Sequence, residues 1–379
     1  MHQQIGKICT TCVMDESDPS IEFDQDGVCE YCNNFENTIR PSWQPNQNGI
    51  NAIMPLIDKI KKDGRNKEHD CLIGISGGLD SSYTAYVAKE HFGLNPLLFH
   101  CDTGWNSDIS TSNIEKLVDG LGLDLVTKVI DWEQMKDLQR AFFKSQVPFV
   151  DQPQDLVLFS SLYDFANEYN FKYVITGGNH STECFRECID WTYFATDTKF
   201  VRNIHSLFGE GSIDQLPMCD IFLYKFYFRF IKGIRVIKIL DNYPFFKEKA
   251  IDDLKDKFGW IEYPMKHYES RFTRFFESYW TPRKHSYDKR RAYFSSLIVT
   301  GQMDREDAIE KLKTPQLSEA EMRNDFEYVA KKLDWTKEEF LEIFHQENKS
   351  FKDYKNNFFF IKIATALANL FGIEKRRFK

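Results

Sequence analysis

The sequence predicts an α/β protein: a doubly wound parallel sheet with a zinc-ribbon-like module before it and a helical region after it. Between residues 50 and 200, short apolar runs alternate with helical segments, as in a parallel sheet covered on both faces. Two Cys-x-x-Cys pairs precede this part, and helical patterns dominate after residue 200. We therefore expect three domains, over residues 1–40, 50–200 and 201–379.

Local patterns place the elements of the sheet in order along the chain. Apolar runs of buried-strand length predict strands over 70–76, 96–101, 124–130 and 172–176. Amphipathic patterns predict the intervening helices over 50–63, 81–91, 107–121, 132–145 and 154–169. Further along, Ser318 with Glu321 and Thr336 with Glu339 have the spacing of capping boxes, which predicts two C-terminal helices.

Composition excludes several classes of protein. The 379 residues are 28% charged and 42% hydrophobic, as in an ordinary globular protein. No uncharged apolar run reaches the roughly 18 residues of a membrane-spanning helix, and residues 1–7 lack the apolar stretch of a secretory signal. We expect a cytoplasmic protein without integral membrane contact. The net charge of −8 also argues against a nucleic-acid partner.

The four cysteines at the N-terminus have the spacing of a metal site. Cys9 and Cys12 form one Cys-x-x-Cys pair, and Cys29 and Cys32 form the other. Four thiolates at such spacing typically hold a tetrahedral zinc ion, and they leave no open position for a catalytic water. The alternatives are two disulfides or four unrelated core cysteines. The expected reducing compartment favours a structural zinc.

A glycine-rich loop over Ser76–Ser82 follows the first predicted strand and precedes a helix. Its two glycines allow close approach of a ligand to the backbone, and its serines lie where a helix N-terminus offers free N–H groups. Asp80 would repel a bare phosphate, so its presence indicates a bridging magnesium ion. The loop lacks the lysine of the Walker motif and the spacing of the dinucleotide fingerprint. We expect it to bind an anionic ligand.

Basic residues recur every three positions in the aromatic stretch Phe226–Leu240, at Arg229, Lys232, Arg235 and Lys238. This pattern is typical of a basic amphipathic helix that contacts a membrane or a partner. An ordinary solvated helix face is the alternative.

The loop resembles the pyrophosphate loop of the adenine-nucleotide alpha-hydrolase-like ATPases, which cleave ATP to AMP and pyrophosphate. That family adenylates a carbonyl or carboxyl oxygen, and a nucleophile then displaces AMP. The turn after the fourth predicted strand resembles the family's second nucleotide loop. The resemblance implies ATP contacts from Ser76, Gly77, Gly78, Asp80, Ser81, Ser82, Asp102, Gly177, Gly178 and Asn179.

A second resemblance covers residues 7–315 and includes both the cysteine module and the loop. It is to the N-acetyl sugar amidotransferases of surface-polysaccharide and flagellin-glycan synthesis, the WbpG/PseA type, and rests also on segments 177–183 and 258–312. It implies conversion of the acetamido group of an N-acetylated sugar, with or without a linked nucleotide, into an acetamidino group. Candidate charge-stabilising groups are Lys266, Lys289, Arg290 and Arg291, and His267 and Glu269 are the candidate bases.

The reaction also needs ammonia. The chain contains no Gly-x-Cys-x-Gly turn, and Cys does not follow Met1, so neither common glutaminase arrangement is present. The resemblance implies a separate glutaminase with a cyclase-like subunit, similar to those of histidine biosynthesis. We place its docking surface on Phe226–Leu240.

The alternative function is a tRNA sulfur transferase of the same ATPase superfamily. It would need a reactive cysteine near the adenylate. Cys184 and Cys188 would share one helical face, and Cys101 ends the second strand. Buried core thiols are the simpler interpretation of these three residues.

Overall fold

Five parallel strands form the centre of the molecule in the computed structural model, in which residues 6–370 are described, apart from the side chains of residues 368 and 369. Residues 1–5 and 371–379, which belong to the predicted outer domains, lie outside the described residues. The sheet order is β3-β2-β1-β4-β5. The strands are β1 (Cys71–Gly74), β2 (Pro96–Asp102), β3 (Leu125–Val129), β4 (Tyr173–Ile175) and β5 (Arg235–Ile237).

Helices cover both faces of this sheet, which confirms the predicted fold class. Neighbouring positions of β1 point to opposite faces, so Ile73 belongs to one hydrophobic cluster and Leu72 to the other. The helices of this part are α2 (Gln47–Gly64), α3 (Leu79–Tyr86), α4 (Asp108–Leu121), α5 (Trp132–Ser145), α6 (Gln152–Glu168), α7 (His180–Glu183), α8 (Thr198–Phe208) and α9 (Lys247–Phe258), after α1 (Glu30–Asn34) in the cysteine module. α3 continues as a π-helix over Val87–His91, and α1 continues over Phe35–Ile39.

The expectation of one amphipathic helix across Phe226–Leu240 is wrong. A π-helix covers Leu223–Ile231, Gly233 turns the chain with φ +70°, and β5 then joins the sheet, with Ile237 paired to Ile175. A short 3-10 helix follows at Ile239–Asp241. Glycine adopts this left-handed conformation without strain and commonly ends helices. The sheet therefore extends beyond residue 200, into the region that we expected to be helical.

The remaining C-terminal region is helical, as predicted. Its helices are α10 (Arg271–Phe275), α11 (Thr281–Lys284), α12 (Arg290–Val299), α13 (Arg305–Leu312), α14 (Glu319–Lys332), α15 (Lys337–His345) and α16 (Phe358–Leu370), with a π-helix at Phe276–Trp280 and a 3-10 helix at Phe351–Asp353. Both predicted capping boxes are present, at Ser318 and at Thr336. Trp105, which follows β2, packs in one core cluster with Phe272 and Trp280. This contact fixes the helical region over the sheet.

The cysteine module packs on the C-terminal helices. Arg291 on α12 pairs with Asp15 (Nη2–Oδ2 2.8 Å) and donates to the carbonyl of Val13. Arg305 on α13 donates to the carbonyls of Cys9 and Cys12. Arg291 was a candidate for stabilising charge on the substrate, but this pairing directs its guanidinium to the module.

Candidate active site

The loop after β1 lies where the strand order reverses, between β1 and β4. Loops that leave neighbouring strands in opposite directions create a crevice at this position in open parallel sheets. Gly77 has φ +79°, and a Cβ atom there would lie 2.5 Å from the backbone oxygen of Ser110. Trp260 and Tyr263 each donate to the Gly77 carbonyl at 3.2 Å. These contacts pack tightly against the side of the loop that faces away from the crevice. The other side of the loop remains open to the crevice.

A second turn, Gly177-Gly178, follows β4 and packs against the first loop. A Cβ atom on Gly177 would lie 2.9 Å from the amide nitrogen of Ser81, so only glycine permits this approach. Asn179 is buried and caps α7, because its Oδ1 accepts from the Thr182 amide at 2.8 Å. Its Nδ2 donates to the Gly177 carbonyl at 3.0 Å. Asn179 therefore stabilises the conformation of the turn and does not face the cleft.

The segment Lys266–Glu269 forms the opposite wall. The amide of Ser107 donates to the carbonyl of Glu269 at 2.9 Å, and the amide of Arg271 donates to that of Trp105. His267 has φ +64°, a left-handed conformation that is uncommon for a residue other than glycine and often occurs at functional sites. Contacts between the C-terminal region and the β2 loop thus bring a segment remote in sequence to the crevice.

These three segments enclose a cleft of about 230 Å³. Nine of the predicted site residues line it: Ser76, Gly78, Asp80, Ser81, Gly177, Gly178, Lys266, His267 and Glu269. The cleft thus brings together the predicted ATP loop and the predicted substrate segment.

Seven predicted residues do not line the cleft: Gly77, Ser82, Asp102, Asn179, Lys289, Arg290 and Arg291. Ser82 is fully buried, and the Asp102 carboxylate accepts from the amide of Gly104 at 2.8 Å. Arg290 is held by Asp288 (Nη2–Oδ2 2.6 Å) and by the carbonyl of Lys311. Arg290 therefore lies outside the cleft, in a local ion pair with Asp288.

Asp80, Lys266 and Glu183 form the charged centre of the cleft. Lys266 Nζ lies 2.8 Å from Asp80 Oδ2 and 2.6 Å from Glu183 Oε1. Burial raises the pKa of Asp80, and the nearby ammonium opposes part of that rise. Burial disfavours charge on Lys266, but the two carboxylates raise its pKa above the ordinary value. Lys266 is therefore a fixed cation between two acidic groups.

His267 belongs to a second charged network behind the cleft wall. Its Nδ1 lies 3.0 Å from Glu277 Oε1, and Lys289 Nζ lies 3.8 Å from the same oxygen and 3.0 Å from Glu187 Oε2. Burial lowers the pKa of His267, but Glu277 outweighs it and raises the pKa to about 9. A histidine that keeps its proton at neutral pH is a poor general base. Lys289 contacts Glu277 and Glu187 and does not line the cleft.

Glu269 is the better candidate base. Its Oε1 accepts from Ser76 Oγ at 3.3 Å and lies 2.7 Å from the position of a Cβ atom on Gly78. Burial raises the pKa of this carboxyl above its ordinary value. A carboxylate with a raised pKa takes a proton more readily, and this one touches the loop directly.

Several residues of the cleft were not predicted from the sequence. Thr182 and Glu183 line it from α7, and Thr182 Oγ1 lies 3.3 Å from Lys266 Nζ. Lys247, Trp260, Tyr263 and Tyr293 complete the lining. Of these residues, Glu183 could have been predicted from the sequence. It lies four positions after Asn179, in the helix that follows the carboxyl end of β4.

The residues of the cleft fit ATP with magnesium. The N-terminus of α3 and the hydroxyls of Ser76 and Ser81 offer donors to a polyphosphate, and the glycines permit close approach. Asp80 and Glu183 supply the carboxylate oxygens that Mg²⁺ prefers. They already hold one cation, the Lys266 ammonium, between them.

The four N-terminal cysteines also fit a metal ion. Their sulfur atoms all lie within 4.8 Å of one another and are buried, and the four thiols are free. Cys9 and Cys32 sulfurs are 3.8 Å apart, and Cys12 and Cys29 sulfurs are 3.6 Å apart. A tetrahedral zinc ion with bonds of about 2.3 Å separates its sulfurs by about 3.8 Å. No disulfide joins these four sulfurs in the structure.

The other candidate cysteines lie elsewhere. α7 ends at Glu183, and the amide of Phe185 bonds to Ser296 Oγ (3.0 Å) instead of continuing the helix, so Cys184 and Cys188 do not share a helical face. Burial raises the pKa of Cys184 to about 12 and that of Cys101 to about 11. Among the described residues, no cysteine lines the cleft.

The fold and the site define an α/β protein with a parallel sheet, a glycine-rich loop at the sheet's carboxyl edge, a four-cysteine module and a helical C-terminal region. Residues 269–368 match the family described as "LPS biosynthesis protein WbpG-like, C-terminal domain". The match covers the C-terminal part of the chain, and it agrees with the family resemblance that the sequence predicts.

Solved structures similar to this chain have low sequence identity to it. The U34-tRNA thiolase NcsA from Methanococcus maripaludis is 14% identical, with 91% of each chain covered and a TM-score of 0.33. The NH3-dependent NAD synthetase from Campylobacter jejuni is 16% identical over 71% of this chain and 99% of its own, with a TM-score of 0.29. The NMN synthetase from Francisella tularensis is 16% identical over 79% and 98%, with a TM-score of 0.30. No curated protein matches the chain.

Among residues 6–370, no helix combines the length and the apolar character that crossing a bilayer requires.

Proposed function

We propose that this protein is an ATP-dependent amidotransferase that converts the acetamido group of a sugar into an acetamidino group, for a surface polysaccharide or glycan. The observation that carries the proposal is the meeting of the Ser76–Ser82 loop with the Lys266–Glu269 segment in one cleft, next to a domain of the WbpG-like family. The same cleft thus offers an ATP loop on one wall and charged groups for an acceptor on the other.

The chemistry proceeds in two displacements. The acetamido oxygen attacks the α-phosphorus of ATP, pyrophosphate leaves, and the nitrogen loses its proton to give an adenylated imidate. Ammonia then attacks the imidate carbon, and AMP leaves with the former acetamido oxygen. Glu269 accepts a proton from the attacking nitrogen, and Lys266 and His267 supply positive charge near the leaving groups. Mg²⁺, held by Asp80 and Glu183, would neutralise the polyphosphate.

Ammonia is proposed to come from a separate glutaminase with a cyclase-like subunit. Nine cysteines occur in the sequence, and four of them form the module. The remaining five are buried or half-buried and do not line the cleft. A glutaminase nucleophile needs an accessible, activated thiol beside its own substrate pocket. The reaction is proposed to occur in the cytoplasm, where ATP and nucleotide-linked sugars are available.

The experiment is an assay of the purified protein with ATP, Mg²⁺, ammonium and a panel of nucleotide-linked N-acetyl sugars. AMP is measured by chromatography, and the sugar by mass spectrometry for replacement of one oxygen by NH. We expect AMP and the amidino sugar in equal amounts for at least one acceptor. Unmodified tRNA with a sulfur donor is the matched comparison, and thiolated tRNA without sugar modification would overturn the proposal.

A further inference from the structure

One face of the π-helix Leu223–Ile231 is uncovered. On its inner side, Phe228 is buried, and its ring lies 6.1 Å from that of Tyr163 on α6. On its outer side, Phe222, Phe226 and Phe230 are 52%, 62% and 54% exposed. The ring centroids of Phe226 and Phe230 are 5.6 Å apart, so these two rings lie on the same side of the helix. The helix therefore has a buried aromatic face and an exposed one.

The exposed rings lie among cations. Residues 221–238 contain five Lys or Arg and no Asp or Glu, in a chain whose net charge is −8. The Arg229 guanidinium lies 5.4 Å from the Phe230 ring centre, and Lys232 Nζ lies 5.7 Å from that of Tyr227. Basic side chains thus lie beside the exposed phenylalanines of this helix.

The same surface continues onto the edge of the sheet. Ile231 ends the helix and is 63% exposed, and β5 is an edge strand on which Arg235 and Val236 are exposed. We call the set Phe222, Phe226, Arg229, Phe230, Ile231 and Lys232 the aromatic–cationic face. It combines exposed apolar side chains with basic ones and contains no acidic residue.

We propose that the aromatic–cationic face binds the surface of an anionic lipid bilayer. Phe226 and Phe230 enter the boundary between headgroups and acyl chains, and Arg229 and Lys232 bind lipid phosphates. Helices that lie in a membrane interface have this composition, with Lys or Arg beside Phe and Leu. Each basic residue near an anionic bilayer contributes about 1 kcal/mol, and the acidic remainder of the chain orients this face toward it.

The Lys and Arg residues that flank the exposed rings complement the phosphates of an anionic bilayer. The proposal is independent of the proposed function, since none of these side chains lines the catalytic cleft.

The test is co-sedimentation of the full chain with two kinds of vesicle: phosphatidylcholine alone, and phosphatidylcholine mixed with phosphatidylglycerol. We expect binding to the anionic vesicles that weakens as salt is added, and at least about tenfold weaker binding to the neutral ones. The variants are Phe226→Ser with Phe230→Ser, and Arg229→Glu with Lys232→Glu. Each pair should weaken binding to anionic vesicles by at least about tenfold.

Matched controls separate this face from general surface effects. Lys61→Glu with Lys62→Glu reverses two exposed charges on α2, and Leu207→Ser removes an exposed apolar side chain from α8. These controls should bind vesicles as the parent does, and circular dichroism checks the fold of every variant. The proposal is overturned if the parent does not bind anionic vesicles, or if the controls weaken binding as much as the face variants do. It is equally overturned if the face variants bind vesicles normally and instead lose glutamine-dependent turnover with a glutaminase, which would assign the face to a protein partner.

Discussion

Lys266 Nζ lies 2.8 Å from Asp80 Oδ2 and so joins two parts of the chain that are remote in sequence. Asp80 stands in the first turn of α3, and Lys266 stands just before residues 269–368, which match the WbpG-like domain. Both side chains are largely buried and line one cleft. The ion pair therefore links the nucleotide loop to the C-terminal region.

The first prediction concerns this ion pair. Asp80→Asn and Lys266→Met should each lower AMP formation by about a hundredfold, because each removes a fixed charge from the polyphosphate site. Because the two groups act on each other, the double variant should lose less than the product of the single losses. Steady-state AMP assays on the four proteins measure this. Asp119→Asn, on the exposed side of α4, is the matched control and should keep parent activity. Strictly multiplicative losses would show that the pair does not act as a unit.

The second prediction concerns the metal. Cys29→Ser should abolish stoichiometric zinc and lower the melting temperature, since a structural zinc contributes folding free energy directly. Elemental analysis and thermal denaturation measure the two effects. Cys219→Ser, a buried cysteine outside the module, is the matched control and should keep its zinc. Freshly purified, reduced parent protein without zinc would contradict the assignment.

The third prediction concerns pH. Glu277 raises the pKa of His267 from its ordinary 6.5 to about 9 in the folded protein. A raised pKa means that the stabilisation is complete below pH 6.5 and is lost as the pH rises through about 9. Glu277→Gln should therefore flatten the decline of the melting temperature between these values. Melting curves across this window measure the change, and Glu319→Gln, an exposed glutamate on α14, should leave the decline intact. An unchanged decline in Glu277→Gln would mean that His267 does not carry its charge there.

The fourth prediction concerns the nitrogen source. Turnover with ammonium should rise with pH as free ammonia increases, and glutamine alone should support none. Adding a glutaminase partner should restore turnover at low ammonium, because delivery raises the local ammonia concentration. Amidino sugar measured by mass spectrometry is the readout. Glutamine-driven turnover by the chain alone, after removal of contaminating glutaminase, would refute the separate partner.

The sequence was sufficient for features that depend on local patterns. Four strands, the loop glycines and the cysteine spacing all follow from neighbours within a few residues. β5 was missed because it has only three residues, is exposed at two of them and follows a basic aromatic run. Such a strand forms only because β4 offers it an unpaired edge, as the pairing of Ile237 with Ile175 shows.

The partners of the basic side chains on α12 could not be predicted from local patterns. Arg290 and Arg291 are adjacent on α12, so their side chains leave the helix in different directions. One pairs locally with Asp288, and the other pairs with Asp15 in the cysteine module. Neither destination follows from spacing, since it depends on how the module packs on α12. Glu277 was missed for the same reason, since its role depends on the fold placing it beside His267.

The most direct measurement follows the acetamido oxygen. An accepted N-acetyl sugar is labelled with heavy oxygen in its acetamido group and incubated with the protein, ATP, Mg²⁺ and ammonium. Adenylation of that group predicts that the heavy oxygen appears in the phosphate of AMP, in amounts equal to the amidino sugar, and that pyrophosphate stays unlabelled. Amidino sugar formed without label in AMP, or AMP formed without any change in the sugar, would contradict the account.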